Sequence, residues 1–273
     1  MFHFIILSLF MPISHLIAKY DLSRYTVYQM LEYVSATQDR KVVQEERDGM
    51  YLIKTTVSVN DLYNYAHILD GKLSTDDNSA MKTFFADDIF RIKFPENESL
   101  SQACAWFGYT YRSTSYGMVA DIEEETDYSV ELSADLKITR VKSTSDFNIC
   151  KSIFAEAFDY SAEETEKKIW FIEKYVLDEQ DNHMSSFILY EKDIPVSTGS
   201  YYAFDSFSIE HIGTRKDYRG KGYADKIMKT LLQEAQRLKY KQACLSASEA
   251  GYHVYLKVGF KVTNKNTTFF LKK

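Results

Sequence analysis

Cysteine is scarce in this 273-residue chain: Cys104, Cys150 and Cys244 are the full set, with no CxxC or paired spacing. That excludes a disulfide scaffold and a cysteine zinc site, and it suits a reducing cytosol. The 6 histidines form no HExxH or similar spacing, so no metal is expected. A basic surplus is missing too. With 33 Lys and Arg against 39 Asp and Glu, the formal charge is −6, which argues against a phosphate-backbone partner and hence against nucleic acid. The same balance suits a cationic acceptor slightly better than an anionic one. Long apolar runs are also lacking. Phe2 to Ala18 is apolar and, its two histidines aside, uncharged, but Pro12, Ser14 and His15 interrupt it and it falls short of the ~20 residues that span a bilayer. No Lys or Arg precedes it, as a secretory signal would require; the first cation is Lys19. A soluble, cytoplasmic protein without a membrane partner is expected. Phe2–Ala18 reads as a buried N-terminal strand or helix, or as residues upstream of a start at Met11 or Met30, with a membrane tether as the other possibility.

What is present is an ordinary folded composition, 45% apolar and 26% charged. The length allows one large domain or two of about 100–150 residues. The chain is organised around Arg219-Gly220-Lys221-Gly222-Tyr223-Ala224. Two glycines let a turn present its N–H groups inward. Ala224, Ile227, Met228, Leu231, Leu232, Ala235 and Leu238 then repeat at helical spacing, giving one apolar face. Amides opening a helix form an anion site; a plain strand-to-helix turn is the alternative.

Before that loop the chain divides at an acidic connection near 121–136, giving units 1–130 and 131–273. In the first unit, Ser23 is expected to cap a helix bearing Val27, Leu31 and Val34, and Tyr51 to Val59 alternate as a strand. Asp61 to Leu69 reads as a short helix, Ser74 to Ser79 as a polar loop, and Ile89 to Phe94 as a strand. Leu100 to Phe107 is a helix stopped by Gly108, and Tyr109 to Val119 a strand. In the second unit, Lys137–Val141 is a strand, Ser143 and Asp146 start a helix, and Ser161-Ala-Glu-Glu164 is a capping box for the next. A hairpin follows with its turn at Lys192-Asp193. Phe207–Thr214 leads as a strand into the glycine loop. After the long helix come a strand at Ala243–Ala247, a helix from Glu249 to Val258 closed by Gly259, and a hairpin of Phe260–Val262 with Thr267–Leu271. The order β-α-α-β-β-β-loop-α-β-α-β-β predicts an α/β (α+β) fold around a mostly antiparallel sheet.

From Leu136 to Lys273 the chain resembles the GNAT acetyltransferase superfamily. Its loop pattern, Q/R-x-x-G-x-G/A, is met at each specified position by Arg219–Ala224. A second signature, Asn-x-x-Ala-x-x-Leu-Tyr-x-x-x-Gly-Phe, is met by Tyr255, Gly259 and Phe260, while Ser248 and Gly251 replace the usual Asn and Ala. The resemblance implies acetyl-CoA as co-substrate, with its pyrophosphate on the amides of Arg219, Gly220, Lys221, Gly222, Tyr223 and Ala224. It implies direct transfer to a primary amine, on a small molecule or a protein, in a ternary complex. Ile212, Gly213 and Thr214 would face the pantetheine arm, with the bare Gly213 permitting close approach, and Tyr255 would protonate the departing thiolate. An amine must lose a proton before attacking, and Glu210 is the candidate base; a substrate-ammonium anchor or an ordinary strand carboxylate are its other readings. By strand alternation Ser208, Glu210 and Ile212 share a face and His211 takes the opposite one. Ser248 either contacts the cofactor or simply caps the following helix. The alternative function is a non-catalytic CoA-binding module with the same fold.

Phe94 to Tyr109 also lies on Leu245 to Phe260 in register, and Tyr116–Val119 then falls on Thr267–Phe270. The first unit is thus similar to the back half of a GNAT domain. Cys104 stands where Tyr255 would be, and Asp70-Gly71-Lys72 has no second glycine. A degenerate, non-catalytic copy that shapes the acceptor cleft is expected.

Overall fold

Asp21, not Ser23, starts the first helix: its carboxylate accepts from the Arg24 amide at 3.2 Å and from the Ser23 hydroxyl at 2.9 Å. The computed structural model describes residues 17–18, 21–37, 42–55, 63–86, 88–169, 172–178 and 180–271. Helix α1 is Leu22–Thr37, followed by strands β1 (Val42–Arg47), β2 (Met50–Thr55) and β3 (Tyr65–Ile68). Then come α2 (Thr75–Phe85), β4 (Arg91–Pro95), α3 (Glu98–Trp106) and β5 (Tyr109–Asp121). The second half holds β6 (Leu136–Arg140), α4 (Thr144–Phe158), α5 (Ala162–Ile169), α6 (Glu173–Leu177), β7 (Met184–Glu191), β8 (Ile194–Ala203) and β9 (Phe207–Thr214). It ends with α7 (Tyr223–Arg237), β10 (Gln242–Ala247), α8 (Glu249–Val258) and β11 (Lys261–Leu271). Phe2–His15, Val57, Val59 and the Asp61 cap lie outside the described residues.

Among the described residues, 11 strands form one sheet, ordered β1-β2-β3-β4-β11-β5-β10-β9-β8-β7-β6. The pairs β3–β4 and β9–β10 are parallel; the others are antiparallel. β5 and β11 are interleaved, so β5 separates β10 from β11 and β11 separates β4 from β5. Two half-sheets of like order therefore meet across β5–β11, each closed by the other's last strand. The like positions agree in detail. Asn97 caps α3 and Ser248 caps α8, each accepting from the amide three residues on, and Gly108 (φ 87°) and Gly259 (φ 104°) both turn left-handed into the strand that follows.

One face of the sheet is covered by α1, α4, α5 and α6 in a single apolar cluster that includes Tyr28, Leu31, Phe147, Ile153 and Tyr202. The other carries α7 over the second half-sheet, through Ile227, Met228, Leu231 and Leu232, and α2 with α3 over the first. Burying the α7 stripe contributes ~1.5–3 kcal/mol per large aliphatic side chain.

Three predicted elements differ. Residues 65–68 form strand β3 where a helix was expected; every one is buried, and a strand buried on both faces has no alternation to reveal it. Ser74 opens α2 where a loop was expected: its hydroxyl accepts from the Asp77 amide and Asp77 accepts from the Ser74 amide, a capping box hidden in polar sequence. The terminal hairpin is one continuous strand, β11. Its polar middle is not a turn, because Asn266 is buried and donates to Asp21 at 3.3 Å.

Candidate active site

Strand β9 and the loop after it position most of the predicted residues. Gly220 (φ 77°) and Gly222 (φ 78°) are left-handed, and a Cβ at either would meet no atom within 4 Å. The turn thus needs glycine for its backbone and leaves open space beside it. Gly222 caps α7 with no side-chain hydrogen bond, so the first amides of the helix have no local acceptor. Arg219 turns back, donating to the Ala157 carbonyl at 2.8 Å and to that of Thr214 at 3.3 Å, which ties the loop to α4. Lys221 and Tyr223 both engage Glu191, and Ala224 enters the first turn of α7. The equivalent helix start in the first half is closed: the Ser74–Asp77 box and Asp76 occupy it.

The β8–β9 register skips at one place, Thr198 pairing with Gly213 and Ser200 with Glu210. His211 is left-handed there (φ 56°), a β-bulge facing Gly199. Alternation fails at this bulge, which corrects the predicted faces. Glu210 and His211 both look towards α1 and α4, and Ile212 swings to the opposite face, where its Cδ1 would lie 2.4 Å from a Cβ on Gly199. Gly213 also differs from expectation: the space its side chain would fill is taken by Ala157 of α4, 3.0 Å from a Cβ there. Thr214 shares a 2.9 Å hydrogen bond with Ser197.

Glu210 accepts from the Ser208 hydroxyl at 2.7 Å; burial pushes its carboxyl above the usual range, against the opposing pull of that bond and of Arg24. Burial, with a smaller contribution from the Glu210 charge, pushes the Tyr255 phenol up to about 12. The Tyr255 ring lies back over the first turn of α8. A Cβ on Gly251 would sit 2.8 Å from its Cε2 and 3.2 Å from its hydroxyl, so the departure from Ala in the motif makes room for this ring. Ser248 spends its hydroxyl on the cap, accepting from the Gly251 amide at 3.3 Å.

Glu210 and His211 line a cleft of about 260 Å³ between the two halves. Its other walls are residues the sequence reading passed over: Arg24 from α1, Tyr65 from β3, Arg91 and Lys93 from β4, and Arg112 from β5. Arg91 and Lys93 alternate with buried Ile92 and Phe94, and that charged-apolar alternation inside a strand was the available signal. Lys93 is paired with Asp21 at 2.5 Å, both nearly buried. Four cations thus line a cleft in a chain whose formal charge is −6.

Residues 156–270 match the family model described as an acetyltransferase (GNAT) domain. Over that stretch the chain is similar to a GNAT domain. A GCN5-related N-acetyltransferase from Kribbella flavida has the same fold (TM-score 0.64, 13% identity), over 93% of this chain and 96% of that one. One from Sphaerobacter thermophilus gives 0.60 at 13% identity, over 93% and 92%. A tandem GNAT protein from the clavulanic acid biosynthesis pathway gives 0.57 at 8%, over 88% and 86%. A search of the curated proteins finds no match. The GNAT-like fold thus extends over nearly the whole chain, beyond the matched domain. That match supports acyl transfer in general terms. Among the described residues, no helix is long and apolar enough to cross a membrane.

Proposed function

We propose that the chain is an acetyl-CoA-dependent N-acetyltransferase acting on a primary amine by direct transfer in a ternary complex. One observation carries the reading: an uncapped helix N-terminus behind an open Gly220–Gly222 turn, at the end of the bulged strand that holds Glu210. The turn fits a pyrophosphate, whose oxygens would meet the free amides and the positive end of α7. Lys221, now held by Glu191, adds a cation beside it. Acetyl-CoA, when bound there, supplies an acetyl group activated as a thioester.

The chain's own residues do the rest. An alkyl amine with a pKa near 10 is protonated at neutral pH, and Glu210, made more basic by burial, takes its proton. One backbone amide of Ile212, Gly213 or Thr214 would polarise the thioester carbonyl. Tyr255, whose phenol stays protonated through the neutral range, gives its proton to the departing sulfur. We assign the chain to two units, 1–130 and 131–273, of which the first is a degenerate GNAT-like copy. Its helix start is closed by its own cap and Cys104 replaces the acid, so each chain has one site. Buried, unpaired thiols at all three cysteines suit a cytoplasmic setting.

Thiol release from acetyl-CoA across a broad amine panel tests this. Turnover that falls with Tyr255→Phe while CoA affinity holds supports the enzyme. CoA binding with no thiol release for any amine leaves only a binding module.

A further inference from the structure

We propose that Glu156, acting through Arg215 and the Lys216 amide, is the positioning residue of the Gly220–Gly222 turn and so sets the affinity for CoA. This rests on the N-acetyltransferase reading and adds to it a residue that lies outside both the loop pattern and the helix pattern.

A glycine turn needs support from outside. Gly220 and Gly222 are left-handed, with no atom within 4 Å of either Cβ position, so no packing holds them on that side. Glycine also loses more backbone freedom on folding than any other residue. Order in the turn must therefore come from its two ends. One end is α7. The other is the single 3₁₀ turn Lys216–Tyr218, in which the amides of Tyr218 and Arg219 donate to the carbonyls of Arg215 and Lys216 at 3.0 and 3.3 Å.

That second end is fastened to α4. The Arg215 amide donates to the Val196 carbonyl at 2.9 Å, and its guanidinium uses every arm. Nε donates to the Pro195 carbonyl at 2.8 Å, Nη1 to Glu156 at 2.5 Å and Nη2 to the Ser152 hydroxyl at 2.9 Å. Glu156 likewise uses both oxygens. Oε2 accepts from Arg215, and Oε1 accepts from the Lys216 amide at 3.0 Å. One carboxylate thus holds the side chain of one residue and the backbone of the next, which fixes direction as well as place. Burial pushes the Glu156 carboxyl up, yet the Arg215 bond and the Lys216 amide outweigh that and hold it below its ordinary value. The group is therefore ionised at neutral pH.

The sign of that charge makes the assignment testable. A carboxylate near a pyrophosphate site repels the ligand, so electrostatics alone predicts tighter CoA binding when Glu156 is neutralised. Positioning predicts the opposite. Asp159 supplies the control, since it pairs with the Lys216 side chain at the exposed surface, where such pairs contribute little.

The full chain is titrated with CoA by calorimetry. Glu156→Gln should weaken CoA about tenfold, the effect of losing one charge-assisted hydrogen bond, and Glu156→Ala should weaken it further because the Lys216 amide also loses its acceptor. Arg215→Lys keeps the charge but cannot reach Pro195, Ser152 and Glu156 together, so it should weaken CoA by a like factor. Combining Glu156→Gln with Arg215→Lys should cost no more than the worse single change, because both break one clamp. Asp159→Asn should leave the Kd within about twofold of the unaltered chain. Amide exchange read by NMR without ligand is independent of cofactor chemistry. In Glu156→Gln the Tyr218 and Arg219 amides should exchange about tenfold faster, while those of α7 from Lys226 onwards keep their rates. Faster exchange in a protein whose unaltered chain binds no CoA upholds the clamp and defeats the cofactor reading. Unchanged exchange, equal or tighter CoA binding by Glu156→Gln, additive losses in the double variant, or an equal loss in Asp159→Asn overturns the proposal.

Discussion

Burial raises the pKa of both groups proposed to handle protons, Glu210 and Tyr255, and the chemical consequences differ. For Glu210 the raised pKa makes a stronger base but delays its ionisation, so the acidic limb of kcat/KM should lie above the ordinary carboxylate value of about 4.3. A pH–rate profile in which Glu210→Gln keeps that limb rules the residue out as its source. For Tyr255 the shift to about 12 keeps the proton in place, and Tyr255→Phe should lower kcat about 10²- to 10⁴-fold with the CoA Kd unchanged. Gly251→Ala tests the same residue indirectly, since the new methyl must push the ring aside; a fall in kcat at intact stability is expected from steady-state assays. Asp21 matters for a separate reason. Burial pushes its carboxyl up, but Lys93, with help from Arg24, brings it down to about 2. A lowered carboxyl pKa contributes stability above its unfolded value near 3.9, lost as pH falls towards 2. Asp21→Asn strands Lys93 and should cost about 3–5 kcal/mol in urea unfolding at neutral pH. Sequence singled out Glu210 and Tyr255 because strand and helix motifs carry them. It missed Arg24, Arg91, Lys93 and Arg112 because they converge from three separate elements, and no spacing along the chain encodes that.

At the level of elements, the bulge in β9 decides which groups share the cleft. Gly199 faces it from β8, with Ile212, Ile227 and Leu231 crowding the place of a side chain at 2.4, 2.5 and 3.1 Å. Gly199→Ala should therefore destabilise by about 1–3 kcal/mol through overpacking, and calorimetry of the variant measures it. Activity should fall further than stability, because the clash displaces Ile212 and with it the bulge. Elements marked by caps and stripes were readable: α7 from its apolar face, α4 from Ser143, α5 from Ser161 and α8 from Ser248 and Gly259. The misread elements were the inner strand β3, the polar-capped α2 and the polar middle of β11. The bulge was unreadable because His211, not glycine, adopts the left-handed conformation.

For the whole molecule, the exchange of β5 and β11 couples the halves. Residues 131–273 alone would leave β10 and β11 without the strand between them, two exposed edges in place of paired backbone. The intact chain should melt in one transition by calorimetry, and a fragment of residues 131–273 should be aggregated or unfolded by circular dichroism. Two separate transitions would show that the halves are independent. Sequence revealed the repeated strand-helix-Gly-strand unit but not the exchange, since strand partners far apart in the chain leave no local trace.

The exchange also bears on how the protein is made. As the nascent chain leaves the ribosome, β4 and β5 emerge long before β11, yet β11 must enter between them. The first half therefore waits with a gap in its sheet, and the pairing that fills it is among the most distant in the chain. Thr268 of β11 also lines the cleft, beside Arg91 and Lys93 of β4. The cleft is thus complete only when this late strand docks, which makes the β11 pairing itself a checkpoint on forming it.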